Sequence, residues 1–317
     1  MQQWIRFIIL SIFLSGSAAA FSLEPRIVGG DEVAGSSEED AFSYTVGVFS
    51  SGGVCGGSYI GNRMILTAAH CVEDSTSVTV RFSETGSMFV TAGDSVFYAN
   101  DTVVIKVSDW YIHPDYRASS YDNDVAVLVL SENPPGFARS IALASKPQTD
   151  SIISNRLTMT AYGWGLTRED GDLADELQFV ELGADSMEYC RSRYGESTIT
   201  NKMICAGGSS LLDQGQDTCQ GDSGGPLVYV EGGTPYIVGI TSFGSGCAEL
   251  GIPGVYARVS AFIDWINAMT PSSVPVYQQV VGPRSGEPFH GAMGPGWLVV
   301  LLALFFWGRR VRSGSLQ

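Results

Sequence analysis

The chain has 317 residues, of which 44% are hydrophobic and 16% charged, a composition that indicates a folded protein and excludes a disordered one. Its net charge of −15 repels nucleic acid and anionic membrane surfaces, so we expect neither as a binding partner. The 38 glycines favour a turn-rich all-β fold.

Residues 1–20 have the features of an export signal. Arg6 supplies a positive charge, residues 7–14 are apolar, and three alanines at 18–20 form a cleavage site of small residues. The alternative is a membrane-spanning helix, for which the apolar run is too short. We therefore predict cleavage after Ala20 and secretion of the mature protein.

Short β-rich segments fill residues 27–270, and clusters of Gly, Pro, Ser, Asn and Asp separate them. This spacing is typical of a β-sandwich or β-barrel. One helix is predicted at 260–269, where Ser260 could cap it and Phe262, Ile263 and Ile266 share a face. The predicted strands are 44–49, 63–67, 78–82, 103–107, 125–130, 157–162, 177–182, 227–230, 236–241 and 255–259.

An even number of cysteines favours disulfides over a metal site. An exported chain meets an oxidising compartment, in which its six cysteines would form three bridges with none left over. A zinc site is disfavoured because the sequence has no CxxC pair and three histidines in all. We predict no metal and no cofactor, and the residues alone leave the disulfide pairing open.

Three segments carry residues suited to nucleophilic catalysis. Ser223 lies in 221–226, where glycines permit an exposed hydroxyl on a tight turn. His70 follows an apolar strand and adjoins a cysteine, and Asp124 stands where a loop enters another apolar strand. Taken singly, each has a structural alternative: a loop serine, a structural histidine and a strand-capping aspartate. As a set, they form a nucleophile, a base and an orienting acid.

The other two histidines are weaker candidates for the base. His113 lies in a Tyr-Ile-His-Pro segment that indicates a structural loop residue, and His290 lies in a region rich in Pro, Gly and Ser.

The three segments, in the order His, Asp, Ser, resemble the trypsin/chymotrypsin family of serine proteases. The resemblance covers residues 27 to about 270. It implies an all-β fold of two six-stranded antiparallel β-barrels with a C-terminal α-helix and the site in the cleft between the barrels. The matching segments are 27–30, 55–58, 67–71, 124–128, 163–165, 217–226 and 253–256.

The resemblance implies the catalytic roles. Ser223 is the nucleophile, His70 the general base and then acid, and Asp124 the residue that orients His70. Backbone N–H groups of Gly221 and Ser223 form the oxyanion hole. A non-enzymatic homologue is the alternative class, but no member of the triad is missing. The implied disulfides are Cys55–Cys71, Cys190–Cys205 and Cys219–Cys247.

The resemblance also implies specificity for substrates with Arg or Lys before the cut. Asp217 matches the residue at the base of the pocket that receives that side chain, and Gly244 and Gly254 match the glycines that keep the pocket open. Ser242, Phe243 and Gly244 would pair with the substrate backbone, with Phe243 where the family usually has Trp. The alternative for Asp217 is a surface acid in an acidic protein, and a chymotrypsin-like specificity is opposed by its carboxylate.

Activation of a precursor is implied as well. Cleavage after Arg26, by another protease or by the enzyme itself, would remove the propeptide 21–26 and free the ammonium of Ile27 to pair with Asp222. Gly53 stands where family zymogens often hold a histidine that binds the acid equivalent to Asp222.

The C-terminal end indicates a sorting signal. Residues 271–296 are a linker rich in Pro, Gly and Ser, and 297–307 are apolar and followed by Arg309, Arg310 and Arg312. This arrangement resembles the Gly-rich C-terminal sorting signals of Gram-negative exported proteins, which implies passage through the periplasm, transient membrane or cell-surface attachment through 297–317, and secretion and tail-processing machinery as partners. The alternatives are a permanent tail anchor and a lipid-anchor signal, and the arginines oppose the latter.

Overall fold

The computed structural model describes residues 27, 30–92, 95–166, 171–208 and 217–269. The predicted signal peptide, propeptide, linker and tail lie outside these residues. None of the helices in the described ranges is long and apolar enough to cross a membrane. The strands are β1 (Asp31–Glu32), β2 (Thr45–Ser50), β3 (Gly53–Gly61), β4 (Met64–Thr67), β5 (Val78–Ser83), β6 (Phe89–Ala92), β7 (Ser95–Tyr98), β8 (Thr102–Ile112), β9 (Ala126–Leu130), β10 (Ala142–Leu143), β11 (Thr158–Gly163), β12 (Gln178–Gly183), β13 (Met203–Ala206), β14 (Pro226–Glu231), β15 (Thr234–Phe243) and β16 (Gly254–Arg258).

The first half of the described chain closes into a six-stranded barrel in the order β2-β3-β4-β9-β8-β5. All its strand pairs are antiparallel. Strands β4 and β9 are buried along their whole length, which explains why neither alternates: β9 is wholly apolar, and β4 is apolar up to Thr67. Strands β6 and β7 form a separate hairpin.

The second half forms a sheet in the order β1-β12-β11-β14-β15-β16-β13. Its six longer strands pair antiparallel, and β10 adds a short parallel pairing to β15. The largest apolar cluster runs from the barrel interior, for example Ile65 and Leu128, to Val228 and Ile240 of this sheet. The predicted all-β fold of the trypsin type is confirmed, and all ten predicted strands are present.

The described part of the chain also contains three α-helices: α1 (Lys146–Asn155), α2 (Met187–Tyr194) and α3 (Ile263–Ala268). The helix predicted at 260–269 is divided into a 3₁₀ turn (Val259–Ala261) and α3. The prediction that Ser260 caps it is wrong, because the capping position of α3 is Phe262 and the Ser260 hydroxyl instead accepts a hydrogen bond from Arg258 Nε at 3.1 Å.

Three disulfides join the six cysteines in the pairs that the family resemblance implied. Cys55–Cys71 ties β3 to the turn that follows β4. Cys190–Cys205 ties α2 to β13, and Cys219–Cys247 ties the segment before β14 to the loop after β15.

Candidate active site

His70 and Asp124 meet because their strands are neighbours. His70 lies in a 3₁₀ turn directly after β4, Asp124 lies two residues before β9, and these strands pair antiparallel with Thr67 opposite Ala126. His70 Nδ1 lies 2.8 Å from Oδ2 of Asp124, and the His70 backbone N–H donates to Oδ1 at 3.0 Å. The carboxylate thus fixes both the backbone and the ring of the histidine. It also selects the tautomer with the proton on Nδ1, which leaves Nε2 available as a base.

Asp124 is fully buried and accepts a third hydrogen bond, from the hydroxyl of Ser242. A buried carboxylate is tolerable only when donors satisfy it, and here the backbone N–H of His70, its ring and Ser242 supply three. The family resemblance implied only a contact of Ser242 with the substrate backbone, and this additional contact of its side chain depends on tertiary structure.

Ser223 lies on a tight turn between two glycines with positive φ, Gly221 at 98° and Gly224 at 79°. A Cβ at Gly224 would lie 2.2 Å from Thr67 Oγ1, so the turn needs glycine there for space as well as for conformation. Gly56 N–H donates to the Ser223 carbonyl at 2.7 Å, which attaches the turn to the barrel. Within the described residues, no backbone acceptor is found for the N–H groups of Gly221 and Ser223, which the sequence predicts as the oxyanion donors.

A pocket of about 230 Å³ joins the predicted catalytic and substrate-binding residues. His70 and Ser223 both line it, which places the predicted base and nucleophile at one cavity. All five residues predicted to bind substrate also line it: Asp217, Ser242, Phe243, Gly244 and Gly254.

Asp217 is a buried acid within this pocket, with 6% of its surface exposed. Burial raises its pKa to about 7, although Thr218 N–H at 2.8 Å and Ala248 N–H at 3.4 Å donate to it. A Cβ at Gly254 would lie 3.0 Å from Oδ1 of Asp217, so glycine there leaves the carboxylate accessible. A Cβ at Gly244 would have as its nearest neighbour the Gly246 carbonyl oxygen at 3.7 Å, and is thus not crowded.

Asp222, the residue before Ser223, is surrounded by backbone groups. It is fully buried, burial raises its pKa to about 6, and it accepts N–H bonds from Gly165 and Cys219 at 2.8 Å. A Cβ at Gly163 would lie 2.1 Å from Asp222, and one at Gly165 would lie 2.5 Å from it. The Gly-Trp-Gly motif, for which the motif match alone predicts no role, therefore makes room for this carboxylate.

Tyr121 is a pocket residue that the sequence analysis missed. Its ring packs edge-on against His70, with centroids 5.5 Å apart, and stacks on Phe243 at 5.5 Å with an angle of 28° between planes. Its place three residues before Asp124 could have suggested a position near the site. Whether the ring points toward His70, however, depends on the backbone conformation of the loop.

His113 is a structural residue, as predicted from its loop. Its ring lies 5.3 Å from that of Phe262 and 5.0 Å from that of Trp265, and its Nδ1 accepts the Asp115 N–H at 3.2 Å. Burial lowers the pKa of His113, which favours the neutral ring.

A metal does not fit the site. Among the described residues, the one group of three potential ligands is Cys55, His70 and Cys71. Both cysteines belong to one disulfide, so neither offers a thiolate.

Comparison with known proteins identifies the family. The family model described as Trypsin matches residues 27–266. Trypsin 5G1 of Aedes aegypti is 35% identical over 247 residues, which cover 77% of this chain and 85% of that protein. Trypsin of Saccharopolyspora erythraea is 36% identical over 244 residues, covering 75% and 95%, and Trypsin-1 of Astacus astacus is 36% identical over 216 residues, covering 68% and 86%. Since the family model spans the β-barrel fold and the candidate site alike, the chain belongs to the trypsin family and is a trypsin-like serine endopeptidase.

Proposed function

We propose that the chain is the precursor of a secreted endopeptidase that cleaves proteins and peptides after Arg or Lys, using Ser223, His70 and Asp124. The observation that carries the proposal is the buried carboxylate of Asp217 in the same pocket as His70 and Ser223. No other described acidic residue lines that pocket.

We infer for this site the acyl-enzyme mechanism of the serine proteases that the sequence resembles. Oγ of Ser223 attacks the scissile carbonyl carbon while His70 Nε2 takes the hydroxyl proton, and Asp124 stabilises the imidazolium that forms. The N–H groups of Gly221 and Ser223 donate to the oxyanion of the tetrahedral intermediate. His70 then protonates the leaving amine, and water hydrolyses the acyl-enzyme by the same steps in reverse.

Specificity is supported by the electrostatics of the pocket. A buried carboxylate without a counter-ion is costly, and a bound Arg or Lys side chain supplies the missing positive charge. An apolar side chain would leave Asp217 unpaired, so the pocket discriminates against it. Arg can bind the carboxylate through two hydrogen bonds, whereas Lys approaches it as a point charge.

Activation by cleavage after Arg26 is supported by two buried groups. The side chain of Ile27 is fully buried in the apolar cluster of the second sheet. Asp222 is buried with two N–H donors and no described cation within ion-pair distance. Release of the Ile27 ammonium would provide that cation, and the activating protease, like the product, would cut after Arg.

Secretion is supported by the three disulfides, which form in oxidising compartments. On this proposal, 1–20 are a signal peptide, 21–26 a propeptide, 27–270 the protease domain, 271–296 a linker and 297–317 a sorting signal that is removed after export. Mass spectrometry of the released protein should find Ile27 as the first residue and nothing from Trp297 onward. Recovery of residues 313–317 in the extracellular form would contradict removal of the tail.

The experiment for the central proposal measures kcat/KM on peptides that differ only in the residue before the cut. We expect Arg and Lys to be preferred over Phe by about 10⁴. Ser223→Ala should lose about 10⁶ in kcat and escape labelling by a fluorophosphonate. Asp217→Ser should lose the Arg and Lys activity but keep the labelling. Equal cleavage after Phe and Arg by the wild type would overturn the role of Asp217, and a fully active Ser223→Ala would overturn the mechanism.

A further inference from the structure

The loop that leads to Asp124 has an unusual backbone. Tyr121 has φ of 52° and Asn123 has φ of 58°, so the two residues that flank Asp122 are both left-handed. Asn tolerates this conformation, but an aromatic residue seldom adopts it. Such a conformation persists where surrounding contacts hold it in place, which raises the question of what holds 121–123.

Some of the hydrogen bonds that hold residues 121–123 come from the same loop, between β8 and β9. The side-chain amide of Asn123 donates to the Asp115 carbonyl at 3.0 Å, and Arg117 N–H donates to the Asp122 carbonyl at 3.0 Å. Asn123 is 3% exposed, so its amide oxygen also needs a partner inside the protein.

That partner comes from the second sheet. Lys202 Nζ donates to Oδ1 of Asn123, and the hydroxyl of Thr200 donates to Oδ1 of Asp122 at 2.8 Å. The Thr200 hydroxyl also accepts the backbone N–H of Lys202 at 3.3 Å, so the two donors belong to one short turn. We call these four residues, Asp122, Asn123, Thr200 and Lys202, the clamp.

The clamp is anchored to the strands that form the substrate pocket. Lys202 directly precedes β13. Its carbonyl accepts a hydrogen bond of 2.8 Å from the N–H of Arg258, the last residue of β16. Strand β13 pairs with β16 so that Ala206 lies opposite Gly254, a pocket residue. The clamp thus joins the loop before Asp124 to the sheet that carries the pocket.

The catalytic triad is divided between the two halves that the clamp connects. His70 and Asp124 belong to the first barrel and Ser223 to the second sheet, so their separation depends on how the two halves are held together. We propose that Lys202 is a positioning residue that acts through Asn123 to place the Asp124–His70 pair relative to Ser223, with Thr200 as the second arm.

The chemistry explains why Lys202 should be the stronger arm. Its bond to Asn123 and the bond of Thr200 to Asp122 each have one ionised partner, so the two differ mainly in burial. Asn123 is 3% exposed, whereas Asp122 is half-buried. Without Lys202, the buried amide oxygen of Asn123 loses its donor, and the left-handed loop loses its link to the second sheet. Thr200 contributes a neutral hydroxyl to a charged carboxylate on a half-buried side chain.

The test compares Lys202→Met, Lys202→Arg and the surface control Lys146→Met in the activated enzyme. Lys146 lies on α1, where its ammonium pairs with Asp150 and its side chain is 72% exposed. We expect Lys202→Met to lower kcat on an Arg peptide about ten- to a hundredfold, with KM changed by less than about twofold, because misplacement by an ångström costs up to about 10² in rate. Lys202→Arg should recover most of kcat, and Lys146→Met should match the wild type. Fluorophosphonate titration corrects each rate for the fraction of folded, reactive Ser223.

Two further variants test the clamp even if Lys202→Met does not fold. Thr200→Val removes a single hydroxyl and should lower kcat about three- to tenfold at constant KM. Asn123→Gly accepts the positive φ but has no amide, so its effect and that of Lys202→Met should not add in the double variant.

The inference rests on the proposed role of Asp124, so Ser223→Ala is measured alongside. If Ser223→Ala remains active, the proposed function fails and the clamp with it. If Ser223→Ala is inert but Lys202→Met and Thr200→Val keep the wild-type kcat, or raise KM alone, the clamp is overturned and the proposed function stands.

Discussion

Ser242 donates a hydrogen bond to the carboxylate of Asp124 across the boundary between the two sheets. Both residues are buried, with 6% and 0% of their surfaces exposed. We expect Ser242→Ala to lower kcat about ten- to a hundredfold with little change in KM, since a hydrogen bond to a buried charge contributes about 1.5–3 kcal/mol. Steady-state kinetics on an Arg peptide measure the effect, with Ser154→Ala on the exposed face of α1 as the control. An unchanged kcat for Ser242→Ala would show that His70 alone orients Asp124.

Because Asp217 lies in the pocket, we expect the binding of a cation there to depend on pH. Burial raises the pKa of Asp217 to about 7, so in the empty pocket it becomes neutral as the pH falls through neutrality. A cation binds the ionised form, and the Kd of benzamidine should therefore rise about tenfold for each pH unit below about 7 and level off above it. Calorimetry on Ser223→Ala measures binding without turnover. Asp217→Asn should bind weakly at every pH, and a wild-type Kd that is constant between pH 5 and 8 would contradict the assignment.

The two pocket glycines should differ in their tolerance of a methyl group. At Gly254 the added Cβ would lie 3.0 Å from the Asp217 carboxylate, whereas at Gly244 its nearest neighbour would be a carbonyl oxygen at 3.7 Å. We expect Gly254→Ala to reduce kcat/KM for an Arg peptide much more than Gly244→Ala does, by about tenfold or more. Labelling of Ser223 in both variants separates a blocked pocket from a misfolded one. The opposite order would place the floor of the pocket nearer to Gly244.

Because Asp222 is buried, we expect the free energy of unfolding of the uncleaved precursor to depend on pH. Burial raises its pKa to about 6 in the uncleaved chain, above the ordinary value near 4, so the folded state binds the proton more tightly than the unfolded state. This group therefore lowers the free energy of unfolding as the pH rises from about 4 to above 6, by on the order of 3 kcal/mol. After cleavage, the Ile27 ammonium should cancel this loss by pairing with the carboxylate.

Urea denaturation of the Ser223→Ala protein at pH 4.5 and 7.5, uncleaved and cleaved after Arg26, measures this effect. Asp222→Asn removes the contribution of this group and isolates it from the rest of the titration. If cleavage leaves the pH dependence of the precursor unchanged, Ile27 does not pair with Asp222.

Strands with apolar runs were predictable from the sequence, but β3 (Gly53–Gly61) was not, because glycine is poor in strands and indicates turns. The structure explains these glycines by close approach: a Cβ at Gly56 would lie 2.7 Å from the Cα of Gly225, in the turn that carries Ser223. Glycine is required at position 56 because of a residue distant in sequence, so local strand propensity cannot predict it.

Helix α1 (Lys146–Asn155) was missed although its signal is present. Ser145 and Gln148 form a capping box, with the Ser145 backbone N–H donating to Gln148 Oε1 at 2.9 Å, and Pro147 lies in the first turn. Its apolar face is weak, with Thr149 and Ile152 buried, so a search for apolar periodicity passes over it.

Short motifs and the family resemblance predicted the site residues His70, Asp124, Ser223 and Asp217. In the structure Asp124 contacts His70, and the other three line one pocket. The supports of the site were less accessible. Tyr121 and Lys202 depend on a left-handed loop and on contacts between the two halves, which no spacing in the sequence encodes.

The Cys55–Cys71 bond makes the order of the catalytic turn dependent on redox conditions. It joins β3 to the turn that holds His70, across 16 positions of sequence, and a bridge over such a loop contributes about 3 kcal/mol. In a reducing cytosol the two thiols stay separate and the histidine turn lacks its covalent brace. On the proposal that the chain is secreted, full hydrolytic capacity would arise only after export, which would spare the proteins of the cell that makes it.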